Sequence, residues 1–148
     1  MSSTYLSLHY HIVFSTKHRK PVINDTWLFR LHEYLGGTIR RLGGCPEQIG
    51  GVADHVHLMV GLRATHCLAD VLRETKRASS IWVHETIGIR EFAWQDGYAA
   101  ITVSPNARPG VCTYIRNQAE HHRTKSFLEE LTEILNAAEV EYDPKYLE

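Results

Sequence analysis

Residues 46–62, PEQIGGVADHVHLMVGL, decide the fold of this chain. The segments 46–52 and 55–62 are rich in apolar and β-branched residues, which predicts two strands. Ala53 and Asp54, which lie between them, suit a tight turn. The sequence therefore predicts a β-hairpin, and the other elements can be placed around it.

The second strand of the hairpin begins with His55-Val56-His57. Because side chains alternate across a strand, both imidazoles lie on one face and Val56 lies on the other. Two nitrogen donors at this spacing can share a metal ion. An isolated His-x-His pair also fits one histidine in the core and one in solvent, so the pair alone leaves both interpretations open. Asp54 is a candidate hydrogen-bond partner or a turn residue.

The other segments predict alternating strands and helices in the order β-α-β-β-α-β-α-α. The connections between strands are too short for an all-parallel sheet. We therefore expect an α+β fold in which an antiparallel sheet has helices packed on one face. The expected elements are a strand at 5–15, a helix capped by Asn24 or Asp25 and ended by Gly43-Gly44, a helix at 67–85 ended by Gly88, a strand at 97–104, and helices at 107–122 and 126–138.

The composition indicates one globular domain. The chain has 148 residues, of which 43% are hydrophobic and 22% charged, and this balance excludes a largely disordered protein. We expect a single domain over 1–148, with an acidic tail at about 139–148. The three cysteines form no C-x-x-C pair, which argues against a zinc ribbon or a disulfide framework. The sequence shows no signal peptide and no long apolar run, so a cytoplasmic protein without membrane contact is expected.

The net charge of −1 argues at first against a nucleic-acid-binding protein. Its distribution changes that conclusion. Residues 1–118 contain thirteen Lys and Arg against nine Asp and Glu, a balance of +4, whereas residues 119–148 contain three against eight, a balance of −5. This pattern predicts a mildly basic body with modest general affinity for DNA, and an acidic tail that covers a surface or limits non-specific DNA binding.

The segment 113–122, TYIRNQAEHH, contains polar residues at helical spacing. On a helix, Tyr114, Gln118 and either His121 or His122 fall on one face. A phenol, an amide and an imidazole on one face do not suit a core position. They suit a functional site or an ordinary exposed surface, and the stripe alone does not distinguish the two.

His-x-His on a strand and Tyr-x-x-x-Gln on a later helix together resemble the HUH single-strand DNA endonucleases. The similarity is greatest to the single-tyrosine transposases of small bacterial insertion sequences, whose relatives include the REP-associated tyrosine transposases. The resemblance runs over nearly the whole chain and implies a ferredoxin-like fold of the HUH endonuclease type. The blocks that carry it are 10–17 (YHIVFSTK), 54–60 (DHVHLMV), 76–80 (KRASS), 94–98 (WQDGY), 114–122 (YIRNQAEHH) and 142–147 (YDPKYL).

The resemblance implies a metal-dependent transposase. It implies that His55 and His57 bind a divalent metal ion with Gln118 as the third protein ligand, and that Tyr114 is the nucleophile. It favours Mg²⁺ or Mn²⁺, although two imidazoles could equally hold Zn²⁺. Attack by Tyr114 on a phosphodiester would give a 5′-phosphotyrosine and a free 3′-hydroxyl, which conserves the bond energy for rejoining. His121 and His122 match the family block as accessory residues without an assigned role.

The resemblance also implies the partners. They are single-stranded DNA that contains hairpins, and a second copy of the chain whose tyrosine helix completes the site in trans. The break at 104–106 would permit such a crossing. Basic residues would contact DNA, and exposed aromatic rings would stack on unpaired bases. The candidates are Lys17, Arg19, Lys20, Arg73, Lys76 and Arg77, then His18, Arg40 and Arg41, and the aromatic residues Trp82, Trp94 and Tyr98.

The sequence leaves three alternatives to an active transposase of a mobile element. The first is a domesticated relative that nicks or processes single-stranded DNA at palindromic repeats. The second is a non-catalytic DNA-binding relative, which the complete set of four implied site residues disfavours. The third is a zinc hydrolase built on His55, His57 and His121, which lacks an acidic general base at a recognisable spacing.

Overall fold

A computed structural model describes residues 3–147 of the chain. Met1, Ser2 and Glu148, which fall within the expected domain and tail, lie outside the described residues. In the described part, no helix is both long and apolar enough to cross a membrane. The elements are β1 (His9–Ser15), α1 (Leu28–Arg41), β2 (Cys45–Val52), β3 (His55–Gly61), α2 (Leu68–Trp82), β4 (Ala99–Thr102), α3 (Arg108–Arg116), α4 (Gln118–His121) and α5 (Phe127–Ala137).

The four strands form one antiparallel sheet in the order β2-β3-β1-β4. The predicted hairpin is β2 and β3, and β3 is central because β1 pairs with its other edge. In that pairing, His57 lies opposite Val13 and His55 lies opposite Ser15. The α+β class and the antiparallel sheet with helices packed against it are confirmed.

The first face of the sheet holds the larger apolar core. Ile12 and Phe14 of β1 and Val56 and Leu58 of β3 point to this face and are buried. α1 and α2 cover it with apolar residues at helical spacing, among them Leu31, Leu35, Ile39, Val71 and Leu72.

The second face is also covered, although the sequence predicts helices on one face only. Val13 packs there against Phe127, Leu131 and Leu135 of α5, and Met59 packs against Ile115 of α3. All residues of β3 from 55 to 60 are buried, so this strand is enclosed on both sides. The physical reason is that Val13 and Met59 occupy the same face as the two histidines, and these apolar side chains also need cover.

Several element boundaries differ from the sequence prediction. β1 begins at His9 rather than at residue 5, and Tyr5 is exposed. α1 begins later than predicted, because Asn24 forms a turn in which its carbonyl oxygen accepts from the backbone N–H groups of Trp27 and Leu28. Gly88 follows a π-helical extension of α2 and takes a left-handed conformation, as its predicted role as a helix stop requires.

The predicted helix at 107–122 is interrupted. Asn117 departs from helical geometry, with φ −97° and ψ 25°, and separates α3 from α4. The interruption does not break up the predicted polar stripe, because Tyr114 and His122 both contact Glu130, and Gln118 lies 3.1 Å from His122.

Gly50 sets the approach of α3 to the sheet. It lies on β2 opposite His57, and a Cβ atom at this position would overlap the carbonyl oxygen of Ile115. α3 therefore packs directly on the backbone of β2. Because Ile115 follows Tyr114, this contact determines how closely Tyr114 approaches β3.

We expect Gly50→Ala to lower the free energy of unfolding by about 1–3 kcal/mol, because the added methyl group overpacks the contact with α3. Gly37→Ala in α1 is the matched control, since no atom beyond the adjacent helix backbone lies within 4 Å of the place that its methyl group would take. The control should leave stability unchanged or raise it by up to about 1 kcal/mol. Urea denaturation of the three proteins measures this. Equal effects of the two substitutions would contradict the close packing at Gly50.

Candidate metal centre and nucleophile

His55 and His57 of β3 form the base of the candidate site. Both side chains are completely buried, and their ring centroids lie 5.1 Å apart on the second face of the sheet. The two imidazoles lie on the same face of the sheet, as the alternation of side chains along a strand predicts. They are enclosed because β3 lies between β2 and β1 and because the C-terminal helices pack over it.

α4 and the residue after it bring two further donors. Gln118 Oε1 lies 3.1 Å from His55 Nε2 and 3.1 Å from His122 Nε2. Gln118 is 1% exposed, although glutamine is normally a surface residue. Both Gln118 and His122 contact His55 of β3.

α5 contributes a carboxylate to the same point. Glu130 Oε1 lies 2.8 Å from His57 Nε2, 3.1 Å from His122 Nε2 and 3.3 Å from His55 Nε2. Glu130 is 2% exposed. The position of α5 is defined by Ser126, which caps its first turn in a capping box, and by the ring of Phe127 against His55.

The outer nitrogen of each imidazole is also engaged. His55 Nδ1 lies 2.7 Å from Asp54 Oδ1, and His57 Nδ1 lies 2.8 Å from His11 Nε2. His122 Nδ1 donates to the carbonyl oxygen of Lys125 at 2.6 Å. All three rings therefore direct Nε2 to the centre while a second group holds Nδ1. This is the usual arrangement of histidines that bind a metal ion.

These side chains fit a divalent metal ion. One donor atom from each of His55, His57, His122 and Glu130 lies within 4.8 Å of all the others. Gln118 Oε1 adds an amide oxygen at the same place. Nitrogen donors in this number suit Mn²⁺ or Zn²⁺ better than Mg²⁺, which prefers oxygen ligands.

The charges of the cluster are coupled. Burial lowers the pKa of His55, but its hydrogen bonds to Asp54 and Glu130 outweigh this effect and raise the pKa to about 9. Burial dominates for His57 and lowers its pKa. The pKa of Glu130 lies far below its usual range, because hydrogen bonds from His122, His55 and His57 outweigh the cost of burying the carboxylate. Since a metal ligand must be a neutral imidazole, loading of the site would release a proton from His55.

Tyr114 on α3 reaches the same cluster. Its hydroxyl donates a hydrogen bond to Glu130 Oε2, the oxygen that does not face the histidines. Its ring meets His57 edge-on at 5.7 Å and packs on His121 at 4.5 Å. Burial raises the pKa of Tyr114, and the negative charge of Glu130 raises it further. The phenol is therefore neutral in this arrangement.

The four residues implied by the family resemblance converge within one chain. Tyr114, His55, His57 and Gln118 of this one chain all contact the cluster or one another. Of the two accessory histidines, His122 joins the metal-binding donors, whereas His121 packs against the ring of Tyr114. The third imidazole is therefore His122, not the His121 of the zinc-hydrolase alternative.

The basic residues predicted to bind DNA differ in their exposure and in their hydrogen-bond partners. Arg19 donates to the carbonyl oxygen of Leu147. Lys76 donates to the backbone carbonyls of Gln95 and Gly97, and burial lowers its pKa to about 8. Lys17 and Lys20 are exposed. Two candidates on α2 are exposed and form ion pairs within that helix, Arg73 with Asp70 and Arg77 with Glu74. The other three candidates, His18, Arg40 and Arg41, are also exposed.

The aromatic candidates differ in exposure. Trp94 is buried and donates to Ser79 Oγ, and Trp82 stacks on Tyr34 at 5.1 Å. Tyr98 is 38% exposed, and it is the most exposed of the three aromatic candidates.

The acidic tail packs on the rest of the protein. Tyr142 and Leu147 contact the apolar cluster formed by Val13 and α5.

Sequence reasoning missed Glu130 and His11 as members of the site. A signal for Glu130 exists in the pattern of α5, where it stands among Phe127, Leu131 and Ile134 on the apolar face of the helix. A carboxylate on such a face needs a buried partner. His11 gives no comparable signal, because its contact with His57 depends on the pairing register of β1 and β3.

Two solved transposase structures have a fold similar to that of this chain. A predicted transposase from Deinococcus radiodurans R1, solved as a crystal structure, is 25% identical, with a TM-score of 0.65 over 80% of this chain and 96% of that one. A REP-associated tyrosine transposase, solved with a REP hairpin bound, is 14% identical, with a TM-score of 0.56 over 78% of this chain and 70% of that one. The second similarity concerns the fold alone. No curated protein matches the chain.

The family itself is defined by sequence. Residues 4–118 match the family described as "Transposase IS200 like". This range contains β1 to α3 and ends at Gln118, and therefore includes both histidines of β3 and Tyr114. The chain belongs to the IS200-like transposase family.

Proposed function

We propose that this transposase cleaves and rejoins single-stranded DNA by a metal-dependent reaction in which Tyr114 is the nucleophile. The observation that carries the proposal is the hydrogen bond from the Tyr114 hydroxyl to Glu130, because the same carboxylate contacts the three histidines. A nucleophile and a set of metal-binding donors thus lie side by side.

The proposed covalent step is a transesterification. The Tyr114 oxygen attacks the phosphorus atom, and the bond between phosphorus and the 3′ oxygen breaks. The phenol loses its proton and the departing 3′ oxygen gains one. The products are a 5′-phosphotyrosine and a 3′-hydroxyl, and the phosphodiester energy remains available for joining to another strand. No external energy source is required.

His55, His57, His122, Glu130 and Gln118 would hold the metal ion. When bound, a divalent ion supplies positive charge that polarises the scissile phosphate and favours the phenolate form of a nearby tyrosine. The neutral phenol in the structure explains why such a charge is needed, since both burial and Glu130 oppose ionisation of Tyr114. The resemblance favours Mg²⁺ or Mn²⁺, and the nitrogen-rich donor set favours Mn²⁺ of these two.

Single-stranded DNA with a hairpin is the proposed substrate. The REP-associated transposase was solved with such a hairpin, and its fold is similar. Among the candidate basic residues, Lys17, Lys20, Arg73 and Arg77 are exposed and available to contact phosphates, as are Arg40 and Arg41. We propose a homodimer as in the family, and completion of each site by the tyrosine helix of the second copy stays a prediction. Such a substrate would place the protein in the cytoplasm.

The other functions are less well supported. The sequence argument against a zinc hydrolase fails, since Glu130 supplies a nearby carboxylate. That carboxylate, however, contacts three imidazoles as a ligand would, and a hydrolase leaves Tyr114 without a role. A domesticated processing enzyme would use the same chemistry, and a non-catalytic relative would not need the complete cluster.

Tyr114→Phe should abolish formation of a covalent adduct, because it removes the attacking oxygen. The wild-type chain incubated with hairpin-bearing single-stranded DNA and Mn²⁺ should give a protein–DNA band that survives denaturing electrophoresis. Tyr34→Phe, on α1 at the opposite face of the sheet, is the matched control and should retain it. An adduct of undiminished yield in Tyr114→Phe would exclude Tyr114 as the nucleophile.

His57→Ala should lower the affinity for Mn²⁺ by about 10- to 100-fold or more, because it removes a ligand from a buried site. Isothermal calorimetry on the metal-free chain measures this without any DNA. His18→Asn, at an exposed position with φ 58°, is the control and should bind Mn²⁺ like the wild type. Equal Mn²⁺ affinity in all three proteins would place the metal elsewhere.

Neutralising the acidic tail should raise non-specific DNA affinity at low salt, because it removes charges that repel phosphates. Truncation after Ala138 would also uncover the apolar cluster that Tyr142 and Leu147 cover, so a double substitution of the exposed Glu139 and Glu141 to Gln is the cleaner change. Fluorescence anisotropy with an unstructured oligonucleotide, measured over a range of salt concentrations, tests it. Identical binding at every salt concentration would refute this role.

A further inference from the structure

The two carboxylate oxygens of Glu130 have different partners. Oε1 lies within 3.3 Å of Nε2 of His55, His57 and His122. Oε2 accepts the hydrogen bond of the Tyr114 hydroxyl. One side chain therefore connects the donors of the metal centre to the nucleophile.

Glu130 lies outside the range that defines the family. The family match ends at residue 118, whereas Glu130 is in the first turn of α5. Its carboxylate is buried near the apolar side chains of Phe127 and Leu131 on the same helix, where an unpaired charge would be strongly unfavourable. The contacts to three imidazoles and one phenol compensate that cost, so both halves of the carboxylate are part of the site.

The ring contacts of Tyr114 do not orient its hydroxyl by themselves. His57 and His11 meet the ring at its edge or face, and His121 packs on it at 4.5 Å. These contacts restrict where the ring lies. The direction of the O–H bond, and with it the lone pairs that attack phosphorus, depends on a polar acceptor, and Glu130 provides one.

We propose that Glu130 is a positioning residue that holds the hydroxyl of Tyr114 against the metal centre. The proposal rests on the proposed function, in which Tyr114 attacks a phosphate bound at that centre. In this proposal α5 is part of the active site. The helix packs on Val13 through Phe127, Leu131 and Leu135, and it also carries the carboxylate that orients the Tyr114 hydroxyl.

A spectroscopic experiment tests the contact without DNA. The full chain is labelled with ¹³C at the ζ carbon of its seven tyrosines, and the resonance that disappears in Tyr114→Phe is assigned to Tyr114. In Glu130→Gln, with and without Mg²⁺, this resonance should shift because the acceptor loses its charge. Glu133→Gln removes an exposed carboxylate from the same helix that pairs with Lys125, and it should shift the resonance far less. An equal shift in both variants, or none in Glu130→Gln, overturns the proposal.

A kinetic experiment separates positioning from metal binding. Adduct formation is followed in single turnover at saturating Mn²⁺ and DNA. Glu130→Gln should lower the rate constant by about 10- to 100-fold while the half-saturating DNA concentration stays unchanged. Glu133→Gln should react like the wild type. If Glu130→Gln reaches the wild-type rate once its own site is saturated with Mn²⁺, the residue acts only as a metal ligand and the positioning role is wrong.

Two controls keep the outcome decisive. If Glu130→Gln does not fold, Glu130→Asp, which retracts the carboxylate by one methylene group, replaces it with the same expectations. If the wild type itself forms no adduct, the proposed function fails, whereas the tyrosine resonance still decides whether Glu130 holds Tyr114.

Discussion

A buried carboxylate surrounded by three imidazoles is the interaction on which the second face of this protein depends. Glu130 is almost fully enclosed, and its negative charge is tolerated only because His55, His57 and His122 converge on it. The surrounding architecture serves this enclosure. β3 is central in the sheet, Gly50 lets α3 approach the backbone of β2, and α5 seals the site from the other side.

The hairpin and the shared face of His55 and His57 could be predicted because strand alternation is a local property of the sequence. Tyr114 and Gln118 could be selected as a pair because both lie within one short segment. Glu130 could not be placed, since its contact with β3 depends on how α5 docks, and no local pattern determines that. For the same reason the sequence predicts no helices on the second face, although Val13 and Met59 point to it.

Helical spacing alone does not distinguish the two accessory histidines. On a helix, His121 and His122 are nearly equivalent partners for the stripe that begins at Tyr114. The structure places His122 at the cluster, where it contacts Glu130, and places His121 beside the tyrosine ring. Two neighbouring histidines thus differ: one offers a donor to the candidate metal centre and the other makes a packing contact.

The donors of the centre come from parts of the chain far apart in sequence, since His55 and His57 lie on β3 and Glu130 lies on α5. An ion bound between them would act as a cross-link that closes a loop of about half the chain. Occupancy of the centre and docking of the C-terminal helices would then be one equilibrium, since each favours the other. The midpoint of thermal unfolding would consequently report the free concentration of the metal, and a chelator would loosen the C-terminal third of the protein before it affected the apolar core beneath α1 and α2.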